Sequence, residues 1–233
     1  MRKKISYKVV VYVLIVVLFF WFIYLSSDYY KSKNSVVGKM VSNFEEVPVP
    51  NVSDHYKWKN KSEYTFVNYF SLDCPYCLKV SEMEDENRVK YENSFNLIYR
   101  HSPLTDIQPL SAEKAVIAEC VFVQSGNDTF FKYVSYVFSH YEHSKNYNTW
   151  AKIVAEKFVG DSEKLHECIN SESMKAFITK KRTENLSYKI NGTPTIAVFK
   201  GENLILRIDR SGESQIQRVM DSLIELNKMN HAN

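Results

Sequence analysis

Two cysteines separated by two residues, Cys74-Pro75-Tyr76-Cys77, are the part of this sequence best suited to carry chemistry. A thiolate is the reactive form of cysteine, and a second thiol one helical turn away can bond to it with little backbone motion. The preceding run Tyr64 to Phe70 is aromatic and β-branched almost throughout and reads as a strand. Leu78, Val80 and Met83 then continue as a helix, so the pair falls where a strand feeds a helix. Cys74 takes the helix N-terminus, whose unpaired N–H groups and partial positive charge stabilise a thiolate. Pro75 takes a first-turn position, where its missing N–H costs nothing. Zinc is the chemical alternative for this spacing, but a structural site needs two more ligands at matched spacing, and the sequence has no second C-x-x-C or H-x-x-C. His140 and His143 share a helical spacing without a third ligand beside them, and read as a solvated helix end. The reading is a redox pair that uses no metal and no cofactor.

The elements that must position this pair lie far apart in the chain. Downstream, Gly192-Thr193-Pro194-Thr195 enters an apolar run from Ile196 to Phe199. A turn over residues 200–203 leads to a second run, Leu204 to Ile208, and a closing helix is expected from about Glu213 to Lys228. Taken alone, Asn191-Gly192 signals only a hairpin turn.

Combined with an upstream C-x-x-C, the Gly-Thr-Pro-Thr stretch resembles the cis-proline loop of the thioredoxin superfamily. The chain between the two resembles the DsbA-like thiol oxidoreductases. Phe95 to Leu104 looks like the second strand of that family and its Arg-x-x-Pro-Leu exit. Ala112 to Val123, followed by Phe130, Phe131 and Val134, has a helical apolar period and resembles the first of the helices inserted in the thioredoxin core. The resemblance covers about residues 62–228.

It implies an α/β thioredoxin fold with an inserted helical domain. Cys74 would be the nucleophile and Cys77 the resolving thiol, with Pro75 and Tyr76 completing the motif. Thr193 and Pro194 would shape an extended edge for a substrate peptide. The implied activity is introduction of disulfides into exported cysteine-containing proteins, with a DsbB-type quinone-linked membrane oxidase as reoxidising partner. A reductase or isomerase of the same fold, or a redox-inactive chaperone or assembly factor, are the alternatives. Two departures bear on direction: Tyr76 stands where strongly oxidising relatives have His, and Asn68 where they have a buried Glu. Asp73, next to Cys74, is expected to raise the pKa of its thiol. Cys120 and Cys168, on apparent helices of the insert, are either buried free thiols or a structural disulfide; the resemblance favours the disulfide, because some DsbA-like relatives carry an additional one.

Composition fits this picture. With 45% hydrophobic and 24% charged residues, the chain is neither a disordered tail nor a collagen-like fibre, and 16 Tyr and 14 Phe supply an aromatic core. Four of its 30 basic residues, Arg2, Lys3, Lys4 and Lys8, precede any acid, which leaves 26 against 27 acidic residues for everything after them. No basic excess remains to follow a phosphate backbone, so nucleic acid is excluded as a partner.

Those cations precede Val9 to Leu25, seventeen consecutive uncharged residues. As a helix this run spans about 26 Å, nearly a hydrocarbon core. A signal peptide needs small residues at its cleavage point, which only Ser26-Ser27 offers. An uncleaved anchor in the cytoplasmic membrane is expected, with the remainder on the periplasmic or extracytoplasmic side. The expected organisation is cytoplasmic tip and transmembrane helix over residues 1–30, tether over 31–62, and the first part of the thioredoxin fold with C-x-x-C over 63–103. The inserted helical domain follows over 104–188, and the second part of the thioredoxin fold with the cis-proline loop over 189–233.

Overall fold

A computed structural model describes Val16, Leu18, Phe19, Trp21 and residues 46–231, except 104–109, 145–147 and 211. The chain divides into two units, Met1–Phe44 and Glu45–Asn233. In the first, the four described residues are helical, and the rest of the apolar run and its flanking cations lie outside the described residues. Among the described residues, no helix is long and apolar enough to cross a membrane.

The second unit is built on a five-stranded sheet: β1 (His55–Trp58), β2 (Tyr64–Phe70), β3 (Asn96–His101), β4 (Thr195–Lys200) and β5 (Asn203–Asp209). The strand order is β1-β3-β2-β4-β5, with β2 and β3 parallel and every other neighbouring pair antiparallel. All seven residues of the central β2 are buried, which is why its sequence is apolar without alternation: both faces of the sheet are covered. Phe66, Phe70, Leu97, Tyr99, Ile196 and Val198 belong to one core cluster, and Val67, Tyr69, Ile98, Ala197 and Phe199 to a second, the period-2 division that a pleated strand imposes.

A parallel pair needs a crossover, here α1 (Pro75–Glu86) and α2 (Arg88–Tyr91) between β2 and β3. Cys77, Val80 and Met83 of α1 join the first core cluster, as do Ile216, Met220 and Ile224 of the closing α8 (Glu213–His231). The insert between β3 and β4 comprises α3 (Ser111–Ser139), α4 (Tyr141–Ser144), α5 (Asn148–Ala155), α6 (Ser162–Asn170) and α7 (Glu172–Ser187). Within α3 the helix breaks at Gly126, whose φ of 76° and ψ of −176° a side chain would oppose.

The expected tether needs correction over residues 46–62, the part of it that is described. Val47 is buried, and His55–Trp58 is an edge strand antiparallel to β3. Arg100 fixes the approach to it: its guanidinium donates to both Asp54 carboxylate oxygens at 2.7 Å, to the Pro48 and Val49 carbonyls at 2.6 and 3.1 Å, and to the Tyr69 hydroxyl at 3.0 Å. Two prolines oppose helix but not an extended approach to a sheet edge.

Candidate active site

Cys74 is the N-cap of α1, with φ −94° and ψ 115°, and Pro75 follows in the first turn. Its carbonyl accepts from the Cys77 and Leu78 N–H groups at 3.1 and 3.2 Å, so the helix starts at Cys74. The Thr193–Pro194 peptide is cis, and the Cys74 thiol donates to the Thr193 carbonyl at 3.2 Å. The structure thus brings Cys74, Cys77, Thr193 and Pro194 together from two strand ends and a helix start. Tyr76 projects from the same turn and is 57% exposed.

Both cysteines are free thiols, and both are buried, Cys74 at 3% exposure and Cys77 at 1%. Exposure does not distinguish them; hydrogen bonding does. The Cys77 thiol donates to the Cys74 sulfur, and the Thr193 side chain and the Cys77 and Tyr76 backbone N–H groups add to this against the cost of burial, so the Cys74 pKa falls from 9.0 to about 6. Burial, then the hydrogen bond to Cys74 and the Cys74 charge, pushes Cys77 well above its usual value. At neutral pH the pair is one thiolate and one thiol.

The expectation that Asp73 raises the Cys74 pKa is overturned. Lys114, fully buried in the first turn of α3, places its ammonium against the Asp73 carboxylate and the Ser144 carbonyl. Its positive charge offsets the negative one on Asp73, whose carboxyl pKa is raised on balance by burial, with Lys114 opposing. The Tyr141 hydroxyl donates to the Asp73 carbonyl at 2.9 Å, so two helices of the insert hold the residue before Cys74. Neither Lys114 nor Tyr141 was legible as a site residue, being 41 and 68 positions from Asp73. Asn68 lies on β2 opposite Tyr99 and Ile196, fully buried, with neither amide atom hydrogen-bonded among the described residues.

Cys120 of α3 and Cys168 of α6 are joined by a disulfide, with Cα atoms 5.8 Å apart. His140 and His143 have ring centroids 6.5 Å apart, beside Trp150.

This asymmetry sets a test. In the reduced protein, iodoacetamide should label Cys74 first, with a rate that rises through a midpoint near pH 6 and levels off above it. Cys77 should react only after denaturation. Labelling of both at one rate, or a midpoint near the ordinary thiol value of about 8.5, would contradict the assignment.

Comparisons with known proteins agree on the fold. A thioredoxin family model matches residues 51–218. Among solved structures, α-DsbA1 of Wolbachia pipientis superposes with a TM-score of 0.63 at 15% identity, covering 78% of this chain and 96% of that one. Oxidised BdbD from Bacillus subtilis gives 0.62 at 16% identity, covering 78% and 100%. DsbA2 of Pseudomonas aeruginosa gives 0.58 at 19% identity, covering 77% and 97%. Curated relatives include the Na(+)/H(+) antiporter NhaA 3 of Salinispora tropica, 35% identical over 78 residues, or 34% of this chain. The antiporter NhaA 1 of Mycolicibacterium gilvum is 22% identical over 180 residues, or 76% of this chain. The chain spans only 12% and 28% of the length of these two relatives. At such identities the solved structures speak to the fold alone, and it is the family match, over well more than half of the 233 residues, that places the chain: it belongs to the thioredoxin family.

Proposed function

We propose that this chain is a thiol-disulfide oxidoreductase that introduces disulfides into exported cysteine-containing proteins. The observation that carries the reading is the asymmetric pair at the head of α1, a stabilised Cys74 thiolate beside cis Pro194 and a Cys77 kept as thiol by burial. In the oxidised protein a client thiolate attacks the Cys74 sulfur, the Cys74–Cys77 bond breaks, and Cys77 leaves and takes up a proton. A second client thiolate then attacks the client sulfur of the mixed disulfide; the client disulfide closes and Cys74 leaves as thiolate. Thr193 and Pro194 form the edge along which the extended client backbone lies. Each turnover leaves two electrons on the pair, and a DsbB-type quinone-linked membrane oxidase is the proposed acceptor.

Stabilising the Cys74 thiolate favours the reduced pair, which makes the disulfide form an oxidant. A Cys74 pKa of about 6 lies between the values of about 7 in thioredoxin and about 3.5 in DsbA. Equilibration against glutathione should therefore give a potential between about −270 mV and about −120 mV, and Tyr76→His should raise it by adding positive charge beside the thiolate. A potential at or below the lower limit would favour the reductase reading. Insulin reduction by the unaltered protein no faster than by Cys74→Ala would favour the chaperone.

Membrane anchoring through residues 9–25 belongs to the same proposal, supported by the four cations before the apolar run and by Leu18, Phe19 and Trp21, each about 60% exposed. In a bacterial host the protein should stay in the membrane after carbonate washing, and protease added to spheroplasts should digest its catalytic unit. Recovery as a shortened soluble species would indicate a cleaved signal peptide.

A further inference from the structure

We propose that His55, His101 and Glu119 form a binding site for a divalent transition metal, with Zn²⁺ the ion that best fits the donor set. The three come from β1, the end of β3 and the middle of α3, and one ligand atom of each lies within 4.8 Å of the other two. His55 Nε2 is 2.8 Å and His101 Nε2 3.6 Å from Glu119 Oε1. Zinc bonds of about 2.0–2.1 Å in tetrahedral geometry set ligand atoms about 3.3 Å apart, between these two distances.

All three residues are buried, at 7%, 5% and 7% exposure. A hydrogen bond between His55 and Glu119 accounts for those two alone. It leaves His101 Nε2 buried within the cluster with no hydrogen bond among the described residues, and His55 Nδ1 in the same condition. Orphaned ring nitrogens of this kind are costly unless something binds them. A metal ion would take the place of the proton shared by His55 Nε2 and Glu119, with that proton passing to Nδ1 or to solvent.

The surroundings suit a closed site with one open position. Phe130 stacks on His55 at 4.2 Å and Phe122 meets its edge at 4.3 Å, while Phe70 lies 4.7 Å from the His101 ring. On the remaining side is a cavity of about 390 Å³, lined also by Asp54, Lys181 and Glu184, from which water can supply a fourth ligand. Two cations line the cavity: Lys181, half exposed and 3.6 Å from Glu184, and Arg100, held by Asp54 at 2.7 Å. None of the three proposed ligands is a hydrogen-bond partner of Cys74 or Cys77, so the site stands independently of the disulfide chemistry. Sequence alone gave no sign of it, because the ligands are 18 to 64 positions apart.

The test uses the full chain, metal-stripped and with Cys74–Cys77 oxidised so that thiolates cannot compete. Titration with ZnCl₂ by calorimetry should show one ion per chain, weakened roughly tenfold or more by His101→Ala and by Glu119→Gln, and unchanged by His143→Ala. In the wild-type protein, Zn²⁺ should shift the imidazole NMR signals of His55 and His101 and leave those of His140 and His143 in place, a readout that does not depend on any variant folding. Absence of stoichiometric binding, full affinity in both ligand variants, or shifts confined to His140 and His143 would overturn the proposal.

Discussion

Cys74→Ser should lose disulfide exchange by roughly 10³-fold or more in both insulin reduction and client oxidation, the scale of loss when a covalent nucleophile is removed. Cys77→Ala should fail differently. Its Cys74 thiolate still attacks a client disulfide, forming a mixed disulfide and releasing one client thiolate, but no neighbouring thiol displaces the client. Non-reducing electrophoresis should then show Cys77→Ala in covalent complexes that dithiothreitol dissolves, and Cys74→Ser in none. The contrast follows from the helix geometry: the N–H groups of the first turn serve Cys74, while Cys77 sits inside the helix at 1% exposure, stabilised only as a thiol. Complexes formed equally by both variants would mean that either sulfur can attack, and the assigned roles would fall.

Much of this site is local in sequence. Tyr64–Phe70 followed by Cys-Pro-Tyr-Cys encodes a buried strand, a cap and a first-turn proline within fourteen residues, and each signal agrees with the next. The hairpin of β4 and β5 and the closing helix are equally local. β1 was not legible, because His55-Tyr-Lys-Trp58 is four residues long, carries a register shift between Tyr56 and Trp58, and owes its place to Arg100 binding Asp54 from 46 positions away. The error over Asp73 has the same origin. A carboxylate beside a cysteine raises its pKa only while its charge is uncompensated, and Lys114 is supplied by the insert. The His55, His101 and Glu119 cluster is the extreme case, since each residue alone reads as an unremarkable member of an edge strand, a strand end or a helix.

The insert's own stability should depend heavily on Cys120 and Cys168. Their bond closes a loop with a sequence separation of 48, and in the chain-entropy model a loop of that length restricts the unfolded state by about 4 kcal/mol. Native-state relaxation erodes part of this, so the Cys120→Ala/Cys168→Ala variant should be less stable by about 2–4 kcal/mol, read from urea unfolding. The m-value should rise as well, because an uncrosslinked unfolded chain exposes more surface; loss of a packing contact alone would lower the midpoint without changing m. Exchange activity at low temperature should survive, since neither sulfur contacts the Cys74–Cys77 pair through any hydrogen bond described. The thermal margin should shrink first where α3 holds Asp73: the helix that carries Cys120 also carries Lys114, and its loosening would free Asp73 to act on Cys74. Iodoacetamide labelling of the double variant near its unfolding midpoint should therefore report a Cys74 midpoint displaced upward from about 6 before the fold is lost. A stability loss below about 1 kcal/mol, or two free thiols at these positions in a non-reduced digest of the purified protein, would remove the disulfide from this account.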